Sequence, residues 1–168
     1  MKCWWEDDKS GGMLFKEMSG DFSIETKIII TKSNTVEMPD KGFQQAGIII
    51  RKKDDQKENY IFLSVGTGGN PTPKISFKKT TESKSKTFAE KMENMNGWLR
   101  LEKKGNKIIA YYKAENNNEY KKIGEFANEW LNAQFQIGLA AYTGFPGDGP
   151  KMKPDMKAEF TQLKIELQ

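Results

Sequence analysis

The stretch NGWLRLEKKGNKIIAYYK, residues 96–113, decides the fold class. In its first half Leu99 and Leu101 alternate with larger aromatic and charged residues, starting with Trp98. A Lys-Gly-Asn turn follows, and after it comes a second run rich in isoleucine and tyrosine. Alternation with a period of two is typical of a half-buried β-strand, and two such runs around a glycine-containing turn are typical of a hairpin. The stretch therefore predicts two antiparallel strands that bury one face and expose the other.

The same pattern recurs along the whole chain. Turn residues separate short runs that alternate or are rich in β-branched and aromatic residues, and only residues 127–131 resemble a helical turn. A long series of strands with no intervening helix predicts an all-β antiparallel sandwich or barrel. The predicted strands occupy residues 13–18, 22–32, 45–52, 59–66, 74–80, 86–92, 98–104, 107–113, 119–126, 135–143 and 158–167.

Length and composition restrict the remaining possibilities. The 168 residues fit a single domain, with residues 1–12 as an N-terminal extension that packs on it. The 27 basic and 23 acidic residues are intermixed, so a nucleic-acid partner is not predicted. No apolar run reaches membrane-spanning length. Since the chain has no histidine and only Cys3, it can form neither a Cys/His zinc site nor a histidine-dependent catalytic triad, and no cofactor is predicted to be required.

The two arginines are unusual in this lysine-rich chain. Of 27 basic residues only Arg51 and Arg100 are arginines, and both fall in predicted strands at positions facing away from the core. A guanidinium group can hold a carboxylate in a bidentate way or donate to neighbouring hydroxyls. Outward aromatic residues could stack on a sugar ring. The predicted ligand-binding set, placed on one hollow and solvent-open face, is Glu25, Arg51, Tyr60, Trp98, Arg100, Glu102 and Tyr142.

A purely structural role for the arginines is the alternative interpretation. Arg–Glu pairs across neighbouring strands stabilise a sheet without any ligand. Arg51 or Arg100 could form such a pair with Glu25 or Glu102. The sequence leaves both interpretations open.

Five blocks of sequence, in a characteristic order and spacing, carry a family resemblance. They are GDFSIETKI, QQAGIIIRKKDDQKENYIFLSVG, NGWLRLEKKGNKIIAYYKAENNNEYKKIG, FQIGLAAYTG and AEFTQLKIE. Together they resemble the concanavalin A-like lectin/glucanase superfamily over residues 13–167. The most similar members are bacterial jelly-roll domains of the "regulation of enolase"-like kind, which are similar to laminin-G-like modules. The resemblance implies a two-sheet jelly roll whose concave face binds glycans, often within secreted bacterial proteins.

The resemblance also guides the functional expectations. It implies a non-catalytic glycan-binding or accessory module, a monomer or a module of a larger protein, in a secreted or periplasmic location. A cytoplasmic location stays open, because the N-terminal MKCWWEDDKSGG shows no signal peptide. The first alternative is a polysaccharide hydrolase or lyase with Glu25 or Glu102 as acid/base. The Glu-x-Asp-x-x-Glu cluster of glucanase relatives is absent from the sequence. The second alternative is a protein-interaction domain.

Two further expectations concern the ends of the chain. Relatives frequently carry a structural calcium ion near the first and last strands, and the resemblance implies Asp21 and Glu159 as its candidate ligands. Trp4 and Trp5, in the N-terminal extension, are expected to pack over one end of the sandwich.

Overall fold

Every predicted strand is present in the structure, with bounds that shift by two residues at most. The structure is a computed structural model that describes residues 4–6, 8–9, 11–52, 56–144 and 155–168. The predicted helical turn is a short 3-10 helix at Glu129–Asn132, capped by the side chain of Asn128. The strands are β1 (Trp4–Trp5), β2 (Asp8–Lys9), β3 (Gly12–Met18), β4 (Phe22–Lys32), β5 (Gln44–Lys52), β6 (Tyr60–Thr67), β7 (Pro73–Thr81), β8 (Lys84–Lys91), β9 (Gly97–Lys104), β10 (Lys107–Ala114), β11 (Lys121–Ala127), β12 (Phe135–Thr143) and β13 (Met156–Leu167).

The strands form two antiparallel sheets that pack face to face. One sheet has the order β11-β10-β9-β4-β13, and the other has the order β3-β12-β5-β6-β7-β8. Strand β9 of the five-stranded sheet lies over β5 and β6 of the six-stranded sheet, and β11 lies over β7. Strands β1 and β2 pair with each other in a small separate ribbon. The architecture is the predicted all-β sandwich.

The core lies between the sheets and follows the predicted alternation. Ile48 and Ile50 of the six-stranded sheet and Leu99 and Leu101 of the five-stranded sheet are fully buried in one cluster. Burying each such side chain contributes about 1.5–3 kcal/mol. The residues between them therefore point outward, on opposite sides of the sandwich for the two sheets.

A bulge in β13 adjusts its alternation. Phe160 and Ile165 are an odd number of residues apart, so a regular strand would place them on opposite faces. The pairing with β4 shifts between Thr161 and Lys164, and Gln162 adopts a positive φ of 54°. One extra residue in a bulge switches the face of the strand. Phe160 and Ile165 consequently both pack on the core.

The N-terminal extension covers the outer face of the six-stranded sheet. Trp4 is only 2% exposed and meets Tyr60 edge-on, with the ring centroids 5.7 Å apart. It joins Ile49 and Phe62, which alternation directs outward but which are fully buried. Trp4 therefore packs on the sheet face and not over one end of the sandwich, the position expected from the sequence, because outward-facing apolar residues on this face form a cluster with it.

Candidate functional site

The two arginines do not share a face, and this part of the predicted site is wrong. Arg51 lies in β5 and points away from the core on the six-stranded side. Arg100 lies in β9 and points away from the core on the five-stranded side. Alternation reports only whether a residue faces in or out, and a sandwich has two outward faces. Glu25, Trp98 and Glu102 lie with Arg100, whereas Tyr60 and Tyr142 lie with Arg51.

Arg51 forms a structural ion pair. Its Nε and Nη2 atoms each donate a 2.8 Å hydrogen bond to the Glu58 carboxylate, and Lys9 adds another at 2.9 Å. The Glu58 side chain is 4% exposed. Burial raises the pKa of Glu58, but the hydrogen bonds from Arg51 and Lys9 outweigh it and hold the pKa below its ordinary value. The alternative of an Arg–Glu staple therefore describes Arg51, with a partner that the sequence reasoning missed.

Arg100 belongs to a group of mutually paired side chains on the five-stranded face. Its Nη2 atom lies 2.6 Å from Glu102, and its guanidinium lies 5.6 Å from the ring centroid of Tyr120. The Tyr120 hydroxyl donates a 2.6 Å hydrogen bond to Glu25. These contacts leave both predicted acid/base carboxylates engaged with neighbours on their own sheet.

Trp98 is partly covered by a lysine on the same face. The Lys113 ammonium lies 5.1 Å from the ring centroid of Trp98 and 5.1 Å from that of Tyr120. Such cation–π contacts contribute about 0.5–1 kcal/mol at exposed positions. The five-stranded face thus has the predicted aromatic and charged residues, but their functional groups contact one another.

A pocket opens on the opposite, six-stranded face, beside the N-terminal extension. Its volume is about 180 Å³, and Trp5, Phe43 and Tyr142 supply its aromatic walls. Of the predicted ligand-binding residues, only Tyr142 lines it, because Tyr60 is fully buried beneath Trp4. The remaining lining residues among those described are Gln45, Gly68, Lys74, Ser76, Lys78, Thr87, Ala89 and Gly144.

Polar side chains in this pocket have free hydrogen-bonding capacity. Ser76 is 2% exposed, and its hydroxyl makes no hydrogen bond to another described residue. The side chains of Thr87 and Lys74 likewise have no such partner within the described part of the chain. Thr87 is exposed and Lys74 is half-buried, so these groups are available to form hydrogen bonds with a ligand or with water. Gln45, in contrast, already donates to the Thr67 carbonyl.

A buried lysine links the pocket floor to the N-terminal extension. Lys78 is 2% exposed, and its ammonium donates a hydrogen bond to the Trp4 carbonyl. The same ammonium lies 5.2 Å from the ring centroid of Trp5 and 4.9 Å from that of Tyr142. These contacts hold the walls of the pocket in place.

The Phe43 wall is held by unusual backbone geometry. Phe43 has a positive φ of 54°, which is sterically unfavourable for an aromatic residue. Its amide donates to the Gly68 carbonyl at 2.6 Å, and its carbonyl accepts from the Gly144 amide at 2.8 Å. A Cβ on Gly69 would stand 3.2 Å from the Phe43 ring, so glycine gives the ring room. Strained backbone conformations are concentrated at functional sites.

A second cavity, of about 210 Å³, lies at the edge between the sheets. Its inner wall includes Ile75 and Ile123, and its rim carries an ion pair between Lys121 and Glu90. The Tyr112 hydroxyl donates to the backbone carbonyl of Asn96 at 2.8 Å and is already satisfied. Lys91, Glu93 and Asn116 also line this cavity, and their side chains have no partner among the described residues. The pocket beside Trp5 differs from it in having three aromatic walls.

The two candidate calcium ligands are far apart, so the expectation of a shared site is wrong. Asp21 directly precedes β4, whereas Glu159 pairs with Ile29, seven residues beyond Phe22 in the same strand. Seven residues of β-strand span about 23 Å. Asp21 accepts hydrogen bonds from Lys103 and from the Gly105 amide, which lower its pKa. Among the described residues no group of three His, Cys, Asp or Glu side chains could hold a metal ion.

Sequence reasoning missed most of the pocket. Residues Lys74, Ser76 and Lys78 alternate with core residues in β7, and this pattern was sufficient to place them outward. No local signal indicated that Trp5 would return to the same face.

In the described part of the chain, no helix is long and apolar enough to cross a bilayer.

Comparisons with known proteins identify the fold. No protein-family model matches the sequence, and no curated protein matches it. A functionally unknown protein from Saccharomyces cerevisiae has a similar structure, with a TM-score of 0.72 and 15% identity over 99% of this chain and 83% of that chain. The GH43 protein BlXynB from Bacillus licheniformis matches with a TM-score of 0.72 and 16% identity, over 98% of this chain and 31% of that chain. The carbohydrate-binding module CBM66 from Bacillus subtilis matches with a TM-score of 0.51 and 16% identity, over 95% of this chain and 84% of that chain.

These likenesses establish a concanavalin-like β-sandwich. The chain spans about a third, 31%, of the BlXynB chain. The narrower resemblance to "regulation of enolase"-like and laminin-G-like domains finds no support, since no family model matches.

Proposed function

We propose that this chain is a non-catalytic glycan-binding module whose binding site is the pocket between Trp5 and Tyr142. The observation that carries the proposal is the combination of aromatic walls with the unpartnered hydroxyls of Ser76 and Thr87. Sugar rings present apolar C–H faces and many hydroxyls. They therefore suit a site that offers both stacking surfaces and hydrogen-bonding groups.

The similar structures support a carbohydrate ligand. One is a carbohydrate-binding module, and another is a glycoside-hydrolase-family protein of which a sandwich like this one is only a part. A fold hosts many functions, so this support comes by analogy. A glycan-binding module acts where polysaccharides occur, and the proposal therefore includes an extracellular or periplasmic location.

The pocket favours binding over catalysis. The described residues that line it include hydroxyls, amide and ammonium groups but no carboxylate. Glycoside hydrolysis ordinarily uses two carboxyl groups that flank the scissile bond. Glu25 and Glu102, the candidate acid/base residues, lie on the other face.

A glycan array followed by calorimetric titration of the best ligand tests the proposal. We expect Trp5→Ala to weaken binding about tenfold, because one stacking wall is lost. Trp98→Ala is the matched control, since it removes a tryptophan from the opposite face and should leave binding unchanged. Circular dichroism and thermal melts check that both variants fold.

Two results would contradict the proposal. The first is the absence of binding to any glycan by the wild-type protein. The second is a loss of binding in Trp98→Ala while Trp5→Ala binds normally, because the ligand would then lie on the five-stranded face.

A further inference from the structure

Two lysines face each other across neighbouring strands beside the pocket. Lys74 of β7 and Lys91 of β8 are directly paired in the register of the sheet. Both point to the outer face, because they alternate with Ile75 and with Glu90, the cross-strand partner of Ile75. Like charges directly opposite each other destabilise a sheet. Strands β7 and β8 also pair Lys79 with Lys86, so what distinguishes the Lys74 and Lys91 pair is its position beside the pocket.

Neither lysine is neutralised by a described residue. No ion pair or hydrogen bond joins the Lys74 or Lys91 ammonium to any side chain in the described ranges. The Lys74 ammonium packs over Gly68, where an added Cβ would stand only 2.7 Å from its Nζ atom. Gly68 and Lys74 both line the pocket. The positive charge is therefore held at the wall of the cavity.

The third lysine of this region has a different role. The Lys78 ammonium is buried and already donates to the Trp4 carbonyl, so it organises the walls. Lys74 lines the pocket, whereas Lys91, its cross-strand partner, lines the neighbouring second cavity. The charge available to a ligand at this edge comes from Lys74, with Lys91 directly beside it. A ligand with a negative group at this edge would relieve their repulsion and gain charge-assisted hydrogen bonds.

We propose that the pocket binds acidic saccharides, with the Lys74 and Lys91 pair holding an anionic substituent of the sugar. This inference rests on the proposed glycan-binding function and specifies its ligand class. The sugar ring lies between the aromatic walls, with its hydroxyls at Ser76 and Thr87. Its carboxylate or sulfate group points to the lysine pair.

Calorimetric titration with defined probes tests the inference. The probes are a galacturonic acid tetramer, a sulfated neutral tetramer, an unmodified neutral tetramer, and a short polyglutamate of equal charge. We expect one or both acidic sugars to bind about tenfold more tightly than the neutral sugar, with the advantage decreasing as salt is raised. Polyglutamate should bind at least about tenfold more weakly than the preferred acidic sugar, because it cannot stack or use the hydroxyls.

Lysine variants locate the effect. Lys74→Gln with Lys91→Gln should reduce the acidic preference, measured as the ratio of the affinities for the acidic and the neutral sugar, to about threefold or less. Lys84→Gln is the control for net charge, since Lys84 lies at the other end of β8, about 23 Å away along the strand. It should leave the preference unchanged.

The possible failures are distinguishable. Equal binding of neutral and acidic sugars overturns the acidic preference but leaves the glycan-binding proposal intact. Equal binding of polyglutamate and the acidic sugars shows attraction to charge alone and overturns the inference. A preference that survives the double lysine variant also overturns it. Absence of binding to every sugar overturns both proposals.

Discussion

The hydroxyl of Tyr120 donates a 2.6 Å hydrogen bond to the carboxylate of Glu25, a residue 95 positions earlier in the chain. Tyr120 precedes β11, whereas Glu25 lies in β4, so the contact crosses β10 and β9. Burial, together with the hydrogen bond to Glu25, raises the pKa of the Tyr120 hydroxyl. The tyrosine thus ties three strands of the five-stranded sheet together over Arg100.

Replacing Tyr120 by Phe should lower the free energy of unfolding by about 1 kcal/mol, because one hydrogen bond to a charged group is lost at a half-exposed position. Urea denaturation measures this change. A double-mutant cycle with Glu25→Gln should show that the two effects are not additive. Additive effects would indicate that the hydroxyl and carboxylate do not interact in solution. Glycan binding should not change, because the pocket lies on the other face.

The two arginines should respond differently to replacement by lysine. Arg51→Lys should cost about 2 kcal/mol, since a lysine cannot reproduce the bidentate contact with the buried Glu58. Arg100→Lys should cost less than about 0.5 kcal/mol, because its pair with Glu102 is substantially exposed. Chemical denaturation of both variants under identical conditions gives the comparison. Equal losses would contradict the structural role assigned to Arg51.

The Glu58 carboxylate should make the free energy of unfolding depend on pH. Its pKa is lowered in the folded protein from an ordinary value of 4.5, so its contribution is present above that value. The contribution is lost as the pH falls through the folded-state pKa. The difference in unfolding free energy between wild type and Glu58→Gln should therefore shrink below about pH 4.5. A difference that stays constant from pH 7 to pH 3 would rule out this linkage.

Glycines in the six-stranded sheet should differ sharply in their tolerance of a side chain. A Cβ at Gly47 would stand 1.9 Å from the Leu63 carbonyl oxygen, and backbone atoms of a paired strand cannot move away cheaply. Gly47→Ala should cost more than about 3 kcal/mol. Gly12→Ala is the control, because its nearest neighbour would be 3.9 Å away. Thermal melts should show a large decrease for the first variant and little change for the second.

The strands were predictable because they are a local property. Residues such as Ile48, Ile50, Leu99 and Leu101 alternate with outward residues, and a period of two needs no knowledge of partners. The bulge at Gln162 was not predictable, because its position depends on how β13 pairs with β4. The burial of Tyr60 was also unpredictable, since it depends on where Trp4 returns to the sheet.

The candidate site was predicted in type but not in place. The alternation predicts outward aromatic and charged residues, and Tyr142 does line the pocket. The prediction placed Arg51 and Arg100 on the same face, because both have the same local alternation although their strands lie in different sheets. The contacts of Arg51 with Glu58 and of Arg100 with Tyr120 were not predicted. Both partners lie outside the strand of their arginine, and the tertiary structure brings them close to it.

The sequence by itself determined the all-β class, the strand positions and, outside the bulges, the inward or outward direction of the strand residues. These follow from backbone sterics and from the burial of apolar side chains along each strand. Only the tertiary structure decided which strands share a sheet, which outward face holds a pocket, and what covers the other residues. Those features depend on contacts between segments far apart in the chain, and a local period of two contains no information about them.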